Sequence, residues 1–281
     1  MFDWEDLRHF AALAQNGSLL AAARALRVEH ATVARRVAAL ERSLDAKLVD
    51  RRPRAYVLTA HGRRIAALAL RVQEQTFAVE RAAQAASPQV AGDVTISSPP
   101  TMARMLIAPR LWELRAQHPD IIIRLMGETR LTSLARREAD IAICWGRPTE
   151  KRAVARKVAS IAFGLYASSA YLARHSPERY AFVGYDESAD GLPSQEWLKS
   201  IAGSRPMVFR SSELEAQATA ARTGIGIAAL PQYVAEQDPQ LVRVDIAGRP
   251  LFRHVWLTVH QDMRRVAAIR AVMEFLTGCF Q

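Results

Sequence analysis

The sequence predicts an α+β chain in three parts: a small helical head with a short β-wing, one long helix, and two α/β lobes. Three observations carry this. Apolar residues recur at helical spacing as far as Leu44. Between Ile65 and Ala86 they alternate in steps of three and four, the seam of a helix that pairs with another. Beyond residue 92, short apolar runs alternate with amphipathic stretches, the signature of a parallel α/β sheet.

In the head, Trp4, Leu7, Phe10, Leu13 and Ala14 mark a first helix, which Gly17 stops and Ser18 follows as the cap of the next. That second helix, LLAAARAL, carries alanines at 21, 22, 23 and 25, so a neighbouring helix can approach closely. A tight connection, Arg27-Val28-Glu29, leads into a third helix whose Val33, Val37 and Leu40 form one buried stripe. The opposite face holds Thr32, Arg35, Arg36 and Ala39, with no acid. A short helix, a three-residue turn and a longer helix make a helix-turn-helix pattern, in which residues 30–36 enter a DNA major groove. His30, Thr32, Arg35 and Arg36 are therefore the candidate reading residues.

Leu48-Val49 and Tyr56-Val57-Leu58 are read as two short strands flanking a basic turn, Asp50-Arg51-Arg52-Pro53-Arg54. The hairpin makes the unit a winged helix-turn-helix, with Arg51, Arg52 and Arg54 placed for the phosphate backbone. Charge supports this. The chain carries a net +10, and residues 24–64 hold eleven Arg or Lys against four Asp or Glu. Only four of the 38 basic residues are lysine, so placement is more informative here than residue type.

Thr59 caps the long helix, expected to run to about Ala86. Ile65, Leu68, Val72, Gln75, Val79, Ala82 and Ala86 trace its seam. At 1.5 Å per residue it is roughly 40 Å long, and its exposed stripe calls for a second copy, giving a homodimer or homotetramer. SPQVAGD, 87–93, reads as a hinge. The boundaries are residues 1–58 for the DNA-binding head, 59–91 for the linker helix and hinge, and 92–281 for the lobes.

In the last part, DVTISS, IIIRLM and DIAICW read as strands, with TMARMLIAPRLWELRAQ and LTSLARRE as helices between them. The pattern restarts at Phe163-Gly164-Leu165-Tyr166 and runs through FVGY, PMVF, a helix from Ser212, GIGIAALP, VRVDI and HVWLTVH, to a final helix from about Met263. Two lobes follow, 92–161 with 262–281 and 162–261, with crossings near 160 and 260. Ligands of open α/β sheets bind at strand ends beside helix starts, here the cleft between lobes. The candidate ligand residues are Ser98, Pro100 and Thr101 after the first strand, Trp145 and Arg147 after Cys144, and Ser211 and Ser212 in the other lobe. Hydroxyls and free backbone N–H groups in such loops suit a carboxylate.

Cys144 and Cys279 lie far apart without metal-ligand spacing, which favours a reducing compartment. The N-terminal MFDWEDLRHF lacks a basic-then-apolar leader pattern, and no apolar run approaches about 18 residues. A cytoplasmic protein with no membrane partner is expected. No metal cluster, P-loop, Gly-x-Ser-x-Gly or nucleotide fingerprint occurs, and the seven histidines are scattered. No enzyme and no cofactor are expected.

LRHFAALAQNGSLLAAARAL, ATVARRVAALERSL, KLVDR and LTAHG together resemble the DNA-binding region of LysR-type transcriptional regulators. HPDIIIRLMGE, ADIAICWG, LYASSAYLA and ARTGIGIAALPQY resemble the family's effector domain, which is similar to periplasmic binding proteins. Four departures stand out: Val49 where the family usually has Phe, Asp45 for Gly, Glu29-His30-Ala31 for Ser-Gln-Pro, and Ala34 for a frequent Ser. The resemblance implies a transcriptional regulator that binds double-stranded DNA at an interrupted palindrome and senses a small-molecule effector between its lobes. Two rival readings use the same lobes: a solute-binding protein without a DNA role, and an enzyme such as a porphyrin-precursor deaminase. Residues 1–90 weigh against the first. The second lacks an evident catalytic acid and cofactor anchor.

Overall fold

The computed structural model describes all residues except 53–54, 86–88, 129–133, 135–137, 151 and 246–249, together with the backbone but not the side chains of 51, 52, 55, 80–82, 84, 85 and 188. The chain divides into two units, Met1–Ala83 and Gln84–Gln281.

The first unit opens with α1 (Trp4–Asn16), α2 (Leu19–Leu26) and α3 (His30–Leu44). Gly17 takes the left-handed conformation at φ 70°, and its N–H donates to the Leu13 carbonyl. Ser18 Oγ then accepts from Ala21 N at 3.2 Å and starts α2, as its position beside the glycine predicts. The turn into α3 depends on Arg27, left-handed at φ 56°, which glycine or asparagine adopts more readily. Asp45 ends α3 at φ 46°. Aspartate suits that conformation, because its short polar side chain visits the left-handed region more readily than most. Phe10, Leu13, Ala22, Ala23, Val33, Val37 and Leu40 close the core of the three helices.

Strands β1 (Val49–Arg52) and β2 (Ala55–Leu58) pair antiparallel, from Val49 opposite Leu58 to Arg52 opposite Ala55. This corrects the sequence reading of a five-residue basic turn. Asp50, Arg51 and Arg52 belong to the strand, because the ladder continues past Val49. Arg54 and the turn itself lie outside the described residues.

Helix α4 (Ala60–Ala85) begins where Thr59 Oγ1 accepts from Gly62 N at 2.9 Å while donating to the Lys47 carbonyl at 2.7 Å. Gly62 is required for a different reason: a Cβ there would overlap the Leu48 carbonyl oxygen.

The second unit is built on a nine-stranded sheet. Its lobe-one strands are β3 (Gly92–Ser98), β4 (Ile121–Gly127) and β5 (Ile141–Trp145), with β3 parallel to both others. The long strands β6 (Ala153–Ser168) and β11 (Leu251–His260) run antiparallel to each other through the middle. Lobe two adds β7 (Phe182–Gly184), β8 (Met207–Arg210), β9 (Ile227–Pro231) and, against β6, β10 (Leu241–Arg243). The strand order β4-β3-β5-β11-β6-β9-β7-β8 puts the crossing within β6 and β11 themselves. The C-terminal helix Ala267–Cys279 returns to lobe one, with Ile269, Val272 and Leu276 in one cluster with Val94, Ile96 and Ile141.

The stretch read as one amphipathic helix from Thr101 is broken. It runs as α-helix over Pro100–Met102, π-helix over Ala103–Ile107, 3-10 helix over Ala108–Arg110 and α-helix over Leu111–Gln117. Pro109 offers no N–H and forces the interruption. The helix from Ser212 starts two residues later, at Leu214. Most of LTSLARRE lies outside the described residues.

Candidate functional site

Packing decides which side of α3 is free. Val33, Val37 and Leu40 are buried against α1 and α2, so His30, Ala31 and Arg35 are exposed and Thr32 is half-buried. Glu29 makes no side-chain cap, but its carbonyl accepts from Thr32 N at 2.9 Å and Val33 N at 3.3 Å. The first turn of α3 therefore presents His30, Ala31 and, one turn on, Arg35 to solvent.

The two adjacent arginines part company. Arg35 has no carboxylate partner among the described residues. Arg36 Nη1 donates to Asp3 Oδ2 and to Asp6 Oδ1, each at 3.1 Å. These bonds, Asp6 first, raise its pKa above the ordinary arginine value. The sequence reading treated both as equally free. The structure instead gives Arg36 to the start of α1, and the acids that hold it are distant in sequence.

Sequence reasoning passed over Glu41. Its Oε1 accepts from the backbone N–H of Leu48 at 2.8 Å and of Val49 at 3.0 Å. One carboxylate thus ties α3 to the first strand of the hairpin. The side chains of Arg51 and Arg52 are not among those described.

On α4 the apolar stripe divides. Ala66 and Ala69 are buried in the head's own core, and Ile65 packs beside them. Ile65 is thus an internal contact, since the helix docks on the head through its first turns. Leu68, Val72 and Val79 remain 53%, 42% and 72% exposed, at steps of four and seven on the other side.

In the second unit, segments that follow β3 in lobe one and β8 and β9 in lobe two are in contact. Thr101 Oγ1 and the Tyr233 hydroxyl lie 2.9 Å apart, joining the lobes. Arg104 and Glu215 form a second interlobe contact, an ion pair. Burial pushes the Tyr233 hydroxyl up to about 12, the Thr101 bond opposing it. Ser98 is fully enclosed, its hydroxyl turned to the Pro99 carbonyl at 3.3 Å. Pro100 packs close to Gly127. The Ser98–Thr101 loop is therefore less open than its composition suggests, and the Thr101 hydroxyl is engaged by Tyr233.

Trp145 meets Phe163 edge-on at 5.5 Å between ring centroids and carries the Arg253 guanidinium 4.8 Å over its ring. Arg147 instead lies over Trp256, at 5.7 Å. Ser211 Oγ accepts from Glu213 N at 3.1 Å and so serves its own turn, while Ser212 is exposed.

Tyr185, Tyr233 and Arg253 were missed. Tyr185 follows the strand end FVG, the same position rule that selected Trp145. Arg253 had a clearer signal: along β11 it interrupts the period-two run Leu251, Val255, Leu257, Val259 on the face that becomes buried. Cys144 has its thiol pushed up, by burial first, against a weaker opposing bond from Thr258. Among the described residues, no His, Cys, Asp and Glu group could hold a metal ion, and no helix is long and apolar enough to cross a membrane.

Both units match known families. Residues 4–63 match the bacterial regulatory helix-turn-helix protein, lysR family, and residues 87–280 match the LysR substrate binding domain. The SDS degradation transcriptional activation protein of a Pseudomonas species is 32% identical over 129 residues, 46% of this chain and 42% of that protein. The chain thus matches less than half the length of that relative. The Mau operon transcriptional activator of Paracoccus denitrificans is 26% identical over 285 residues, 99% of this chain and 96% of that one. In three dimensions the chain resembles full-length AphB, a virulence activator of Vibrio cholerae. The TM-score is 0.63 at 22% identity, with all of each chain covered, a likeness of fold. With its head and its lobes both matched, the chain belongs to the LysR-type transcriptional regulators.

Proposed function

We propose that this chain binds double-stranded DNA as a transcriptional regulator and responds to a small molecule held between its two lobes. The observation that carries the reading is the first turn of α3. His30, Thr32 and Arg35 project from a closed three-helix core, beside a hairpin tied to the same helix by Glu41. Arg35 is the base-reading candidate, and Arg51, Arg52 and Arg54 of the wing are assigned to phosphate. Leu68, Val72 and Val79 supply an apolar stripe for a second copy, and two paired heads address an interrupted palindrome. The relatives named as transcriptional activators support this role. Effector binding would act on the Thr101–Tyr233 and Arg104–Glu215 contacts between lobes.

The test is a mobility-shift assay on DNA flanking the chain's own gene, with Arg35→Ala beside wild type. A lost base contact weakens binding by roughly 1–3 kcal/mol and relaxes preference at one base pair. Equal affinity of the two proteins for every sequence would refute the reading helix assignment.

A further inference from the structure

Arg253 stands at the junction of the lobes. It lies on β11 opposite Ile161 of β6, two residues before Val255 pairs with Trp145 at the end of β5. Its guanidinium is partly buried, covers the Trp145 ring and faces Tyr185. Every Asp and Glu of residues 84–281 is among the described residues, and none of them pairs with Arg253. Arg104, also between the lobes, is matched by Glu215. Tyr185 and Tyr233 both have their hydroxyls pushed up by burial, so they stay neutral and leave the charge of Arg253 unanswered. A desolvated cation without a counter-charge is costly, and a ring face offsets only part of that. Burial indeed draws the Arg253 pKa below the ordinary arginine value.

Guanidinium forks match planar oxyanions in two parallel hydrogen bonds. Its recorded neighbours are aromatic: the Trp145 ring beneath it, with Phe163 edge-on to that ring, and Tyr185. Such neighbours accept a carbon body and give an inorganic ion nothing beyond the charge. We propose that Arg253 is the anion anchor of the interlobe cleft and that its ligand is a small organic carboxylate with a flat apolar body. This rests on the effector-sensing reading above and names the chemistry of that site.

The experiment uses the full chain and three probes at matched ionic strength: sodium benzoate, neutral benzamide and sodium sulfate. Thermal melting and calorimetry are recorded for wild type, Arg253→Met and Arg253→Lys. Expected is a dose-dependent rise in melting temperature with benzoate alone. That rise should vanish in Arg253→Met, and Arg253→Lys should bind benzoate at least tenfold more weakly. Without probes, Arg253→Met should melt at or above wild type, because a partly buried, unpaired charge has been removed. A wild type indifferent to benzoate, a benzoate response kept by Arg253→Met, or equal responses to benzoate and sulfate would each overturn the assignment. So would a probe-free Arg253→Met that melts well below wild type, since the arginine would then serve only to pack Trp145. Operator binding of wild type is measured separately. Benzoate binding without DNA binding would leave the anchor and remove the regulator reading, and the reverse pattern would do the opposite.

Discussion

Replacing Glu41 with alanine should loosen the β1–β2 wing from α3. Glu41 Oε1 receives two backbone donors, Leu48 N at 2.8 Å and Val49 N at 3.0 Å. Both residues are enclosed, at 0% and 1% exposure, so water cannot readily replace the lost acceptor. Hydrogen bonds to charged groups contribute roughly 1.5–3 kcal/mol each, and two bonds sharing one oxygen sum to less than twice that, so Glu41→Ala should cost about 3 kcal/mol. Glu41→Gln keeps a carbonyl oxygen in place and loses only the charge, so it should cost about half as much. Denaturant unfolding of the full chain, following the transition of the head, gives both values. DNA affinity should fall in the same order, because the wing is no longer held in register with α3. A loss below about 0.5 kcal/mol for Glu41→Ala, the range of ordinary surface changes, would show that the two N–H groups find other partners and refute the argument.

Further outcomes follow from other contacts. Gly62→Ala should unfold the head or displace α4, because its Cβ overlaps the Leu48 carbonyl oxygen; circular dichroism melting of the full chain would show it. Val72→Asp places a charge on the exposed apolar stripe, so sedimentation should show weaker self-association without a lower monomer stability. Thr101→Val strands the Tyr233 hydroxyl and should cost roughly 1–3 kcal/mol, while Thr101→Ser, which keeps the bond, should cost less. The pH dependence has a defined sign. A tyrosine near 10 when unfolded and about 12 when folded holds its proton better in the native state, so stability falls as pH rises from about 10 through 12. Tyr233→Phe should flatten that fall, and absorbance titration of phenolate should lose its latest-titrating group.

Much of this protein was readable along the chain because the relevant physics is local. The Gly17-Ser18 stop and cap, the Val33, Val37, Leu40 stripe and the strand-helix alternation after residue 92 each depend on neighbours within a few residues. So does Thr59 as the cap of α4. A period of 3.6 or 2 shows which side of an element is buried. It does not show what a polar group on the other side will meet. Arg35 and Arg36 are adjacent and alike in sequence, yet Asp3 and Asp6 take one and leave the other. Leu68 and Ile65 sit on one periodic stripe, yet docking of α4 on the head packs Ile65 against the core and leaves Leu68 exposed. The ligand residues were chosen by strand-end position, a local rule that does not reach the pairing of Thr101 with Tyr233 across 132 residues. Arg253 shows the difference most plainly. Its place in a buried period-two run is written in the sequence. That no carboxylate of residues 84–281 reaches it was decided only when β6 and β11 crossed, because charge pairing depends on distance in space and not on separation along the chain.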